Sequence, residues 1–312
     1  MRIIFFGTGK FGLPSLKKLL HSRHDILAVV TRPDTKKGRR GTDVLPAPVR
    51  AYAEKAAPGV EIFQPPDVSD PGFVERVEKE RPDVFVVVDY GCLLGEELLG
   101  IPEKCGVNLH PSLLPKYRGA APVNWAIMNG EKETGNTVIQ MTERMDAGSI
   151  IVQERTLIGE NEKAQELLER LAKSGAALLM KALDMIESED LQLAEQDDAG
   201  ATAAPRLRKQ DGRIEWGDPA LRIVRKVRAM QPWPGAFTLL NGRTLKILEA
   251  EAVSVVGEGL LPGAIMDNVE FIVKTGEDAV RIDALQLEGK KIMRREEFLR
   301  GYRLTRGVIL GA

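Results

Sequence analysis

The chain has 312 residues, of which 43% are hydrophobic and 29% charged, an ordinary globular composition with enough length for two domains. Its formal charge of -1 hides an asymmetry, because residues 208–312 carry 18 Lys+Arg against 14 Asp+Glu while residues 1–207 carry 26 against 31. The opening apolar run is too short for a signal peptide and no apolar stretch reaches the ~18 residues of a membrane span, so the expectation is a cytoplasmic protein without a membrane partner.

Arg2-Ile3-Ile4-Phe5-Phe6 reads as a buried strand, followed by Gly7-Thr8-Gly9-Lys10-Phe11-Gly12 and a helix with Pro14 in its first turn. That loop matches the Gly-x-Gly-x-x-Gly dinucleotide fingerprint, which also requires an acidic residue at the end of the second strand for the ribose hydroxyls. The second strand, Ile26 to Val30, instead runs into Thr31-Arg32-Pro33, with Asp34 beyond the proline. Pro14 also starts the helix near Gly12, which carries its N-terminal amides away from a pyrophosphate. Strand-turn-helix is therefore the better reading than a nicotinamide site. His21 and His24 lie in the polar stretch between these elements, a turn where surface histidines are commonplace.

Residues Pro33 to Pro46 form a long connection with four cations, Lys36, Lys37, Arg39 and Arg40, in five residues. Such a run is often just a solvated loop, but Gly38 and Gly41 would give it the freedom to order on phosphates. Helices from about Pro48 to Ala57 and Pro71 to Glu80 then alternate with strands at Glu61 to Phe63 and Val84 to Val88. Strands separated by helices imply a parallel sheet covered on both faces, and the all-apolar valine run suits its centre. Asp89-Tyr90-Gly91 follows at a strand end.

The next strand ends in Asn108-Leu109-His110, so two polar side chains two residues apart leave it on one face while Leu109 takes the other. Pro111-Ser112-Leu113-Leu114-Pro115 cannot continue a central strand and must form a rigid loop, placing both groups at the strand's carboxyl end, where open α/β sheets bind ligands. A helix from Ala121 to Asn129 with Trp125 and Met128 toward the core comes next. Strands at Asn136 to Thr142 and Ser149 to Glu154 then make a hairpin around Glu143 to Gly148. A long amphipathic helix over Glu162 to Glu187 closes a first domain at residue 188.

Residues 189–206, polar and Ala-rich, read as a linker. Beyond it, Leu221, Val224 and Val227 line one face of a short helix. Five β-like runs between Ala236 and Leu287 suggest a small β-barrel over 207–312, most economically of the oligonucleotide-binding kind. Lys290, Lys291, Arg294 and Arg295 add a second basic cluster. Cys92 and Cys105, the only cysteines, show neither metal nor disulfide spacing and read as buried apolar residues, and with three histidines no metal site is expected.

Asp146 is the candidate third member of an Asn108, His110, Asp146 set. An imidazole, a carboxylate and an amide together can hold an oxyanion and move protons, chemistry that suits acyl transfer to an amine. Spacing does not show that Asp146 meets His110, and an aspartate in a turn is usually a turn-former.

Asn108 to Pro115, Tyr117-Arg118-Gly119-Ala120-Ala121-Pro122, Gln140-Met141 and Asp146-Ala147-Gly148 together resemble the signature of the 10-formyltetrahydrofolate-dependent formyltransferases. The likeness extends to Gln231-Pro232-Trp233-Pro234-Gly235-Ala236 and Glu288 to Met293, and among these enzymes it is greatest to those acting on methionyl initiator tRNA. The resemblance implies a Rossmann-like catalytic domain joined to a C-terminal barrel, with Asn108, His110 and Asp146 catalytic and Ser112, Leu113, Leu114 and Pro115 in a folate-binding loop. It further implies that Lys36, Lys37, Arg39 and Arg40 approach the tRNA and that the barrel contacts its backbone. A monomer is the expected state. A formyltransferase of small amines shares the catalytic set, but the basic loop and added barrel favour the macromolecule. Similar proteins more often have a small residue where this chain has Asp89, which either alters folate contacts or bonds backbone amides.

Overall fold

The computed structural model describes residues 1–37, 43–254 and 259–311. It comprises two compact units, one from Met1–Pro122, Glu133–Leu157 and Leu168–Pro205, the other from Val123–Lys132, Ile158–Leu167 and Arg206–Ala312.

In chain order the elements are β1 (Arg2–Gly7), α1 (Leu13–Leu20), β2 (Asp25–Val30), β3 (Thr35–Lys37), β4 (Asp43–Leu45), α2 (Pro48–Ala56), β5 (Glu61–Phe63), α3 (Pro71–Lys79), β6 (Val84–Val88), α4 (Glu96–Leu99) and β7 (Cys105–His110). Then follow α5 (Pro122–Asn129), β8 (Glu133–Gln140), β9 (Ile150–Leu157) and α6 (Ala164–Glu187). The first unit is built on a seven-stranded sheet ordered β5-β2-β1-β6-β7-β8-β9. Its first five strands are parallel, whereas β8 runs antiparallel to β7 and β9 to β8. The sheet is thus parallel-dominated and mixed, since the hairpin adds two antiparallel strands at one edge.

The apolar runs take the central places. Ile3, Ile4, Phe5 and Phe6 of β1 are fully buried, as are Val84, Phe85, Val86 and Val88 of β6, in keeping with strands covered on both faces. Alternation along β7 holds as well: Leu109 packs toward α6, where Gly175 leaves the space (a Cβ there would lie 3.0 Å from Leu109 Cδ2), and Asn108 and His110 take the opposite face.

The second unit contains α7 (Ala220–Ala229), β10 (Ala236–Leu240), β11 (Arg243–Val253), β12 (Ile265–Asp267), β13 (Ile272–Lys274), β14 (Ala279–Leu287), β15 (Met293–Arg294) and α8 (Arg295–Gly301). Its six-stranded antiparallel sheet follows β10-β11-β14-β13-β12, with β15 added on β14. The ends of this path are joined through the terminal segment, where Leu310 N–H donates to Gly263 O and Gly311 N–H to Leu239 O. The interior is filled by Leu245, Ile247, Phe271, Val273, Ile282 and Leu285.

Several expectations need correction. His24 is buried rather than on the surface, only 7% exposed, and burial lowers its pKa. Cys105 is buried, but Cys92 is half-buried with Sγ 2.8 Å from Arg32 Nη1. On α5 the buried residues are Pro122, Val123, Ala126 and Ile127, whereas Trp125 and Met128 are half-buried. On α7 they are Ala220, Ile223, Val227 and Ala229, leaving Leu221 exposed. Among the described residues no helix is long and apolar enough to cross a membrane.

Candidate active site

The parallel register sets Asn108 of β7 beside Val87 of β6, and the antiparallel register on the other side sets His110 beside Thr137 of β8. Both polar side chains therefore emerge at the carboxyl end of an interior strand. The β8–β9 turn brings Asp146 to Asn108 across 38 residues of sequence, and to His110 with it. Asn108 Nδ2 donates to Asp146 Oδ1 at 3.1 Å, and the backbone N–H of Gly119 donates to Oδ2 at 2.8 Å. His110 Nδ1 lies 3.6 Å from the same Oδ2, and the Asp146 side chain is only 9% exposed. Three groups from two segments thus converge on one carboxylate in a largely desolvated place, where charge-assisted bonds are strong.

His110 Nε2 is 2.9 Å from the carbonyl of Tyr117. A carbonyl only accepts, so Nε2 carries a proton and donates it, which leaves Nδ1 as the nitrogen that faces Asp146. In the neutral ring Nδ1 offers a lone pair toward the carboxylate; in the charged ring it offers a proton. Asn108 gives one amide hydrogen to Asp146 and has a second to direct elsewhere.

The backbone at Asp146 is left-handed, with φ 52°, a region in which aspartate is among the few tolerated side chains. Gly148 makes the turn possible: a Cβ there would stand 1.7 Å from Gln140 O, so the chain passes against β8 more closely than any side chain allows.

The loop after His110 is fastened from beneath by β8 and β9. Thr137 Oγ1 donates to Ser112 O at 2.6 Å and accepts from Leu114 N–H at 3.2 Å. Gln153 Nε2 reaches both Thr137 Oγ1 and Leu114 O, at 2.8 and 3.0 Å. Ser112 is fully buried with Oγ donating to Lys116 O at 2.7 Å, and Leu114 is buried too. Leu113 and Pro115 are the half-exposed members of the expected folate loop.

The Gly-rich loop is put to a different use from the one its sequence suggests. A short 3-10 turn at Lys10–Gly12 precedes α1, so that helix begins after Gly12. Thr8 N–H and Gly9 N–H both donate to the carbonyl of Asp89, at 3.0 and 3.3 Å. The Asp89 carboxylate is so close to Gly9 that a Cβ there would lie 1.9 Å from Oδ2, and it accepts from the Phe11 N–H. An intrinsic carboxylate therefore fills the place that a pyrophosphate needs. Asp34 is committed as well, ion-paired with Arg50 and accepting from Gln64 at 3.1 Å.

Reasoning from the sequence missed the Gly119 amide, Thr137, Gln153 and Gln196. The Thr137 and Gln153 contacts follow from strand register, which no local pattern announces, but Gly119 stood inside the quoted motif. Gln196 came from the stretch read as a linker, which is bonded along the first unit: Ala194 pairs with Ile150, and Ala203 with Arg118. The basic segments fare differently. Lys36 and Lys37 fall in β3, and Arg39 and Arg40 lie outside the described residues. In the second cluster Lys291 pairs with Glu297 at 2.7 Å, Arg294 with Glu249, and Arg295 with Glu270 at 2.9 Å. Among the described residues no group of three or more His, Cys, Asp or Glu is arranged to hold a metal ion.

The model of the formyl transferase family matches residues 1–183, and that of the formyl transferase C-terminal domain matches residues 206–303. The chain belongs to the formyl transferase family. It is 43% identical over 312 residues to a methionyl-tRNA formyltransferase from Caldanaerobacter subterraneus subsp. tengcongensis, covering 99% of this chain and 100% of the relative. It is likewise 43% identical to a methionyl-tRNA formyltransferase from Geobacter metallireducens, covering 100% and 99%. Among solved structures, the N-formyltransferase of Helicobacter canadensis in complex with folinic acid and dTDP-3-aminofucose has the same fold, with a TM-score of 0.67, 18% identity and coverage of 90% of this chain and 98% of that one.

Within this family site, Asp89 introduces a titration. Crowding by the surrounding protein raises its pKa to about 6 from the ordinary value near 4, against the opposing pull of the Phe11 N–H. Water still reaches part of the residue, so the energetic effect is smaller than for a dry carboxylate. A carboxyl with a raised folded pKa adds stability below its unfolded pKa and loses it as pH climbs through the folded one. Stability should therefore fall between pH 4 and pH 6 more in the native protein than in Asp89→Asn. Thermal unfolding of both at several pH values checks this, and parallel curves would contradict it.

Proposed function

We propose that this chain transfers the formyl group of 10-formyltetrahydrofolate to the amino group of methionyl initiator tRNA. The observation that carries the chemistry is the convergence of Asn108, His110 and the Gly119 amide on Asp146 at the carboxyl end of β7. The substrate is supported by full-length relatives bearing that activity in their names. In this reading residues 1–188 catalyse, 189–206 link, and 207–312 contact the RNA. The chain works as a cytoplasmic monomer.

The folate donor lies against Ser112, Leu113, Leu114 and Pro115, meeting the backbone of this rigid loop and the half-exposed side chains of Leu113 and Pro115. The methionyl amine attacks the formyl carbon, and the carbonyl electron pair moves to oxygen to give a tetrahedral oxyanion. Asn108 stabilises that oxyanion with the hydrogen it does not give to Asp146. The proton lost from the amine passes to Nδ1 of neutral His110, and the imidazolium so formed, paired with the Asp146 carboxylate, adds its positive charge beside the oxyanion. Collapse of the intermediate breaks the bond from carbon to the folate nitrogen, which receives the proton, leaving formylmethionyl-tRNA and tetrahydrofolate.

Removing one oxyanion donor typically costs on the order of 10²–10³ in rate. Asn108→Ala and His110→Ala should each lose turnover on that scale while binding tRNA nearly as before, and a His110→Ala enzyme with native rates would overturn the assignment. Incubation with 10-formyltetrahydrofolate and charged initiator tRNA, beside uncharged and elongator controls, tests the substrate. Formyl-methionine should appear on the initiator alone; formylation of a free small amine with the tRNA untouched would contradict the reading.

The basic loop calls for a separate measurement. Replacing Lys36, Lys37, Arg39 and Arg40 by Ala should weaken tRNA-dependent activity and flatten its dependence on salt, because fewer counterions are then released on binding. An unchanged salt slope would show that these cations are merely solvated.

A further inference from the structure

The strap at residues 194–204 carries one half-buried polar side chain between exposed neighbours, Gln196. Its Nε2 donates both hydrogens to the active-site turn, to Asp146 O at 2.9 Å and to Gly148 O at 2.7 Å. Its Oε1 accepts from Arg118 twice, from Nε at 3.1 Å and Nη2 at 2.8 Å. The partners fix the orientation of this amide: carbonyls only accept and a guanidinium only donates, so the flipped amide would lose all four bonds.

These four bonds join the two segments that meet at the carboxylate. One is the Asp146–Gly148 turn. The other is the Tyr117–Gly119 loop, which supplies the Gly119 N–H to Asp146 Oδ2 and the Tyr117 carbonyl to His110 Nε2. The strap is itself anchored on both sides of Gln196. Upstream, Ile150 N–H donates to Ala194 O at 2.8 Å and Ala194 N–H to Ile150 O at 3.0 Å. Downstream, Arg118 N–H donates to Thr202 O, Ala204 N–H to Arg118 O and Tyr117 N–H to Thr202 Oγ1, at 2.8, 2.7 and 2.8 Å. Arg118 is further held by Asp198 Oδ1 at 2.9 Å. Without the amide, the carbonyls of Asp146 and Gly148 lose their shared donor, and the turn is tied to the Arg118 loop by the Gly119 N–H on Asp146 Oδ2 and, at its exposed end, by Asp198, which bridges Arg118 and Arg144.

We propose that Gln196 is a positioning residue for formyl transfer, holding the Asp146 turn at the distance from the Tyr117–Gly119 loop at which its carboxylate meets Asn108, Gly119 and His110. It touches neither substrate nor folate, and the inference rests on the catalytic reading of Asp146. A misplacement of about 1 Å in a catalytic group costs on the order of 10²-fold in rate, so loss of this tie acts on turnover rather than binding.

The test uses two replacements in the full chain. Gln196→Glu keeps the length and the acceptor for Arg118 but removes both donors to the turn; Gln196→Met keeps the approximate shape and removes every polar contact. Each should lower kcat for methionyl-tRNA formylation about 10- to 100-fold, with KM for tRNA and folate within about twofold of native, at a temperature where circular dichroism shows the protein folded. Each is also combined with Asp146→Ala. A residue that works through Asp146 has nothing left to position in that background, so the double variants should be no slower than Asp146→Ala alone. Native kcat in both single variants, a change confined to KM, or losses that multiply in the double variants would each overturn the proposal. Native turnover in Asp146→Ala itself would overturn the catalytic reading as well, which separates the two failures.

Discussion

The Asp146 carboxylate accepts the Asn108 amide through one oxygen and the Gly119 N–H through the other, and the second oxygen also faces His110. A carboxylate with only 9% of its side chain exposed is tolerable because its lone pairs are met in this way. The surrounding features can be understood as conditions for that meeting. Strand alternation sends Asn108 and His110 to one face, and the antiparallel hairpin swings the next turn back over them. Asp146 tolerates the left-handed backbone, and Gly148 allows the turn to press against Gln140. The Ser112–Pro115 loop is held by Thr137 and Gln153 from the strands beneath it.

The same sheet shows how a dinucleotide-type loop is withdrawn from phosphate binding. Two of its amides are spent on the backbone of Asp89, and the Asp89 carboxylate sits where an anion would be needed. Charge and space both oppose a pyrophosphate there. At the carboxyl end of the sheet it is β7 that presents an amide and an imidazole, from Asn108 and His110.

Much of this was legible from the sequence because it depends on local periodicity. Valine runs marked central strands, Pro14 marked the start of a helix, and the two-residue spacing of Asn108 and His110 required a shared face. The Gly-rich loop lacks an acidic partner at the end of the second strand, and that much is legible in the sequence; the Asp89 carboxylate against it is visible only in three dimensions. What stayed hidden depends on register and long-range packing. Asp146 meets Asn108 only because β8 pairs with β7 in one particular alignment. Backbone donors such as the Gly119 N–H leave no side-chain signature. Residues 189–206 have the composition of a linker, yet their backbone pairs with Ile150 and Arg118, and His24 has the sequence surroundings of a surface turn while its ring is buried.

Single-turnover formylation by Asp146→Asn tests the central claim most directly. The substitution keeps the size of the side chain and removes its charge, so Asn108, Gly119 and His110 lose their common anionic acceptor. The account predicts a chemical step slower by roughly 10²–10⁴, the usual scale for a positioned acid–base group, with tRNA and folate affinities close to native. A native rate of formyl transfer in this variant would contradict it.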